Sequence, residues 1–123
     1  MLKLLLDEHI SPAVGAGLRR RIPSIAAYGL AEWEAGAFLG QDDATFLRHA
    51  ATYRWTLVTY DRRTIPPLLK EWAESGQHHG GVILIDEKTI SPSDIGGQIR
   101  DLTALLREAG AWNWSDRVCF LHR

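Results

Sequence analysis

Residues 2–12 read LKLLLDEHISP, and the fold is read outward from this stretch. Met1 to Leu6 is apolar apart from Lys3 and then meets Asp7-Glu8. A short apolar run with a charged end suits a buried strand. Ser11-Pro12 follows, a side-chain N-cap before a residue whose fixed φ suits the first helical turn. Val14, Leu18 and Ile22 then recur at helical spacing, and Pro23 stops the pattern. The opening therefore predicts strand, acidic turn, helix, with a second strand over residues 24–28. Residues 29–40, which hold Trp33 and Phe38 among glycines and alanines, read as loop or broken helix.

The same unit returns down the chain. Asp42-Asp43 opens a helix, where acids suit the positive dipole end, and Phe46, Leu47, Ala50 and Tyr53 form its apolar stripe. Residues 56–59, TLVT, make a β-prone run that closes on Tyr60-Asp61. Pro66-Pro67 starts a helix with Leu69, Trp72 and Ala73 on one side, and Gly76 to Gly81 is a turn. Val82 to Ile85 is a fourth strand ending at Asp86-Glu87. Ser91 is the expected cap of the next helix, with Asp94 three residues on. Ile95, Ile99, Leu102, Leu106 and Ala109 carry its stripe, Gly110 stops it, and Val118 to Leu121 is a last strand. Alternation of this kind predicts an α/β three-layer sandwich with a mainly parallel central sheet. One domain is expected over residues 1–123, a length that buries a core without staples.

Composition narrows the class. Net charge is -1, with 24% charged and 46% hydrophobic residues, so neither disorder nor generic coating of DNA is expected. Cys119 is the one cysteine, so intramolecular disulfides and cysteine metal clusters are excluded. Apolar runs extend over a few residues only, whereas a membrane helix needs about 20, and no signal-peptide layout opens the chain. The expected setting is the cytoplasm, away from membranes. There is no GxxxxGKS phosphate loop and no serine nucleophile elbow. Arginine outnumbers lysine eleven to three; most of these read as helix-face ion pairs.

The acids carry the chemistry. Asp7, Asp61 and Asp86 end strands, and Asp43 begins a helix. In open α/β sheets ligands bind beyond the carboxyl ends of the strands, so these residues are expected on one rim. One aspartate at a strand end is ordinary loop polarity, and one at a helix start is ordinary capping. Several at corresponding ends point to a shared ligand. Carboxylates brought together repel unless a cation neutralises them, and hard oxygen donors suit Mg²⁺ or Mn²⁺. A metal so held activates water against a phosphodiester.

Three segments, LKLLLDEHISP, GQDDATFLRHA and TLVTYDRRT, resemble the motifs of the small PIN-like domain family related to PIN ribonucleases of toxin–antitoxin pairs. The resemblance covers roughly the first two-thirds of the chain. It matches the family's Asp-Glu after strand one to Asp7-Glu8, its acid before the middle helix to Asp43, and its Thr-x-Asp to Thr59-Tyr60-Asp61. It implies a Mg²⁺- or Mn²⁺-dependent ribonuclease with Asp7, Asp43 and Asp61 as catalytic metal ligands, RNA as substrate and a cognate antitoxin protein as partner. Glu8 and, from its strand-end position, Asp86 are candidate helpers. Arg62 and Arg63 follow the last acid and are expected to draw phosphate in. The chain departs from the family at His9, where an amide is common, and at Arg63, where a second acid is common.

The Arg63 departure makes a catalytically silent PIN-like fold that binds a partner protein or RNA the alternative. A phosphoacceptor receiver-like domain is a third reading, since it also places an acidic pair after strand one and an aspartate after strand three; it lacks a lysine after strand five, where His122-Arg123 stands. His78-His79 reads as an exposed turn, His9 and His49 as surface positions near the acids at most, and Cys119 as a small buried residue. Trp33, Trp55, Trp72, Trp112 and Trp114 read as core or interface anchors. Trp112 and Trp114 precede the final strand, and a homodimer that buries one of them is expected.

Overall fold

A computed structural model of the 123-residue chain describes residues 2–30, 32 and 43–123. Elements alternate from the first residues: β1 (Lys3–Leu6), α1 (Pro12–Arg21), β2 (Ala26–Gly29), α2 (Asp43–Thr52), β3 (Thr56–Thr59), α3 (Ile65–Glu74), β4 (Val82–Ile85), α4 (Ile95–Ala109) and β5 (Val118–Leu121). The five strands form one sheet in the order β2-β1-β3-β4-β5, and every pairing is parallel. The expectation for 29–40 and for Asp42 falls largely outside the described residues.

The period-2 alternation of the strands sorts the core into two layers. Leu4, Leu6, Val58, Ile83, Ile85 and Leu121 face one side, where they meet Val14 and Leu18 of α1 and Ile99, Leu102 and Leu106 of α4. Leu5, Leu57, Val82 and Leu84 face the other, against Phe46, Leu47 and Ala50 of α2 and Ile65 and Trp72 of α3. The molecule is thus a three-layer α/β sandwich. Central strands buried on both faces explain the unbroken apolar runs LLL and VILI, which carry no polar alternation.

Helix ends follow local chemistry. Ser11 accepts a hydrogen bond from Ala13 N–H and Pro12 occupies the first turn of α1, as the sequence implies. The α4 start differs from expectation. Asp94, not Ser91, is the cap, accepting from Gly97 N–H at 2.9 Å. Residues 91–93 instead form a turn held from inside by Gln98, whose Nε2 donates to Pro92 O at 3.0 Å. Helices α1 and α4 touch through Gly17: a Cβ there would collide with Ile99 Cδ1. Among the described residues no helix is long and apolar enough to cross a membrane.

Candidate functional site

The strand order places its crossover point between β1 and β3, since β2 lies to one side of β1 and β3–β5 to the other. Connections leave this point in opposite directions, so the carboxyl ends of β1 and β3 open a crevice. Asp7 and Asp61 lie there. Asp7 continues β1 and donates its N–H to Val58 O at 3.0 Å. Asp61 lies two residues past the end of β3.

Thr59 ties the two together. Its hydroxyl donates to Asp7 Oδ2 at 2.6 Å and accepts from Asp61 N–H at 3.0 Å. Thr59 is fully buried, whereas Asp7 and Asp61 are half-buried, so a fixed hydroxyl holds a carboxylate at the edge of solvent. The other Asp7 oxygen accepts from His9 N–H at 3.3 Å. Asp61 Oδ1 accepts from the N–H groups of Arg63 and Thr64, both at 2.9 Å, which fixes the entry into α3 where Thr64 itself makes no side-chain cap. Tyr60 between them donates its hydroxyl to Ile90 O at 2.9 Å, locking this rim to the β4–α4 loop. Burial, reinforced by the Asp94 charge, pushes the Tyr60 phenol up to about 12.

The remaining acids divide. Asp86 follows β4 on the same rim and donates its N–H to Leu121 O at 2.8 Å. Its carboxylate closes its own loop, accepting from Lys88 N–H and the Thr89 hydroxyl, both at 3.2 Å, with Arg62 Nη2 4.0 Å away. Glu8 is exposed. Asp43 opens α2, at the helix end opposite Thr52, which leads into β3; its side chain lies outside the described residues. Arg62 and Arg63 are exposed beside Asp61, and the Arg62 guanidinium lies 6.0 Å from the Phe120 ring centre. His49 packs its ring 5.1 Å from Tyr53, near the far end of α2.

Two sequence readings change. His79 is buried rather than exposed: Asp116 accepts its N–H at 3.1 Å, and its Nδ1 accepts from Gly81 N–H at 3.0 Å. Burial lowers its pKa, with Asp116 pulling the other way and His78 adding to the depression. Cys119 is only half-buried, and burial raises its thiol pKa. Thr59 was visible only as the first letter of Thr-x-Asp; that spacing is the signal for its bridging role.

Hard carboxylate oxygens on a shared rim fit Mg²⁺ or Mn²⁺ in donor type. Among the described residues no three His, Cys, Asp or Glu side chains gather to hold a metal ion. Asp7 and Asp61, two of the expected ligands, lie at this crevice, and the side chain of the third, Asp43, lies outside the described residues. Comparisons with protein-family models, with curated proteins and with solved structures found no match for the chain.

Proposed function

We propose that the protein is a Mg²⁺- or Mn²⁺-dependent ribonuclease of PIN-like type, with RNA as its substrate. The observation that carries this reading is the Thr59 hydroxyl joining Asp7 to the Asp61 backbone at the β1/β3 crossover. In this reading Asp7, Asp43 and Asp61 would hold the metal, which when bound supplies an activated water and charge stabilisation at a phosphodiester. Thr59 keeps the Asp7 carboxylate oriented, so little reorganisation is left to the reacting state. Arg62 and Arg63 raise the local concentration of phosphate at the rim. Asp86 acts on the loop and on Arg62 rather than as a ligand. The proposal extends to a cytoplasmic setting, a cognate antitoxin protein as partner and a homodimer.

The test is cleavage of a single-stranded RNA in Mn²⁺. The wild type should cleave, and Asp7→Asn should lose at least about a hundredfold. Asp61→Asn is the companion variant, because an amide Oδ1 still accepts the Arg63 and Thr64 N–H groups and the α3 start survives. Cleavage unchanged in both variants refutes the assignment. Absence of any cleavage with the fold intact favours the silent PIN-like alternative, for which Arg63 in place of an acid speaks.

The strand order gives the receiver-like reading one point in its favour, because receivers share the order 2-1-3-4-5. The cation after β5 speaks against it. Arg123 is committed to Asp94 at 2.8 Å and Asp101 at 3.4 Å, both acids of the α4 segment, rather than to Asp61. A small phosphodonor should leave Asp61 unlabelled; stable labelling there would replace the nuclease reading.

A further inference from the structure

The pole opposite the acidic rim holds a cavity of about 1060 Å³, formed where β1, β3, β4 and β5 begin and where α1 and α4 end. Among the described residues no aspartate or glutamate lines it, whereas Arg21, Arg54 and Arg107 do. Among the described residues these three guanidinium groups make no hydrogen bond or ion pair. Arg21 and Arg107 close helices, where a cation suits the negative dipole end. Arg54 has no such explanation. It lies past α2 with φ 60, a left-handed position that glycine ordinarily fills at a helix end, so an arginine is kept there at a conformational cost. Strain of this kind at a cavity wall points to a use for the side chain.

The rest of the wall is apolar and aromatic. Trp114 is buried and donates Nε1–H to Ala109 O at 2.9 Å, and it packs over Gly81, whose φ of 105 and lack of a Cβ let the indole approach. Trp112 also lines the cavity but keeps 46% of its surface exposed. The guanidinium of Arg117 sits over its ring, 4.9 Å from the centre, and so takes one face of the indole; stacking by a ligand uses the other face. His79 lines the cavity as well; because its Nδ1 accepts from Gly81 N–H, Nε2 is the ring's donor in the neutral form.

We infer that this cavity is a binding site for a nucleoside monophosphate, its base stacked on Trp112 and its phosphate held by Arg54 with Arg21 and Arg107. Guanidinium forks match phosphate oxygens in pairs, and among the described lining residues no carboxylate competes for Arg54, the one of the three that no helix end accounts for. An exposed indole beside an apolar wall suits a flat ring, and the volume is of the size of small-molecule sites. The site is separate from the acidic rim and does not depend on the ribonuclease reading.

Calorimetric titration with AMP, adenosine and inorganic phosphate tests it on the full chain. AMP should bind with Kd below about 1 mM, and adenosine and inorganic phosphate each at least about tenfold more weakly, since each keeps half of the contacts. Trp112→Ala and Arg54→Ala should each weaken AMP by at least about tenfold, while circular dichroism stays native. Arg54→Gly repeats the charge loss in the residue the backbone prefers, so a folding defect is not mistaken for lost binding. Asp7→Asn should bind AMP as the wild type does. No heat with AMP up to about 5 mM, unchanged affinity in the Trp112 or Arg54 variants, or loss of binding in Asp7→Asn would overturn the inference.

Discussion

At the scale of single residues, the rim acids were legible and the groups that hold them were not. Asp7, Asp61 and Asp86 announce themselves because each follows a compact apolar run. Thr59 sits within such a run and reads as an ordinary β-prone residue until its hydroxyl is seen between Asp7 and Asp61. Thr59→Val keeps the shape and removes the link, so it should cost about 1 kcal/mol in urea unfolding. In the same variant the rise in Tm produced by Mn²⁺ should shrink, if Asp7 is a ligand. His79 was illegible for a different reason. Its burial depends on Asp116, 37 residues away, and on Trp114 folding over Gly81. A histidine whose folded pKa lies below the unfolded value of 6.5 takes up fewer protons in the native state than in the unfolded one. Stability is therefore complete above about pH 6.5 and falls as pH drops below it. Denaturant midpoints between pH 8 and 5 should show this slope. It should flatten in His79→Asn, whose Oδ1 can still accept the Gly81 N–H.

At the scale of elements, strand existence was easier to read than helix starts. Residues 56–59, 82–85 and 118–121 are strands as their β-branched and apolar content implies. Strand β2 shifts two residues later than 24–28 at its start, because Ile25 serves the core before pairing begins at Lys3 and Ala26. The α4 cap moved from Ser91 to Asp94 because a buried glutamine organises the turn, a contact that spacing alone does not encode. The contact of α1 with α4 was likewise hidden in one glycine. Gly17→Ala should gain about 1 kcal/mol of helix propensity yet destabilise overall, since the new methyl meets Ile99. Ile99→Ala alone should cost about 2–5 kcal/mol. Together they should cost less than their sum, because the second change vacates the space the first one needs. Additive losses in a denaturation cycle would mean that the two helices yield elsewhere.

At the scale of the whole molecule, alternation along the chain implied a parallel sheet, but strand order depends on which way each crossover turns, and no local pattern records that. The order leaves β5 at an edge of the sheet. On the α2/α3 side, Val82 and Leu84 of β4 are buried, while Val118 and Phe120, their partners in register, keep 39% and 58% of their surfaces exposed. Trp114 belongs to the core and so does not anchor the proposed homodimer, whereas Trp112 keeps 46% of its surface exposed. The β5 face is the better candidate: a second copy laid two-fold beside it would pair an edge that otherwise invites association and would cover Phe120. Burying the 58% of Phe120 that is exposed contributes roughly 1–2 kcal/mol per protomer, which a lysine at that position would forfeit. Light scattering at micromolar concentration should thus give a dimeric mass for the wild type and a monomeric mass for Phe120→Lys, with the thermal transition of the monomer still cooperative. A monomeric wild type, or a dimer that tolerates Phe120→Lys, would place the contact elsewhere and leave the β5 edge to a different partner.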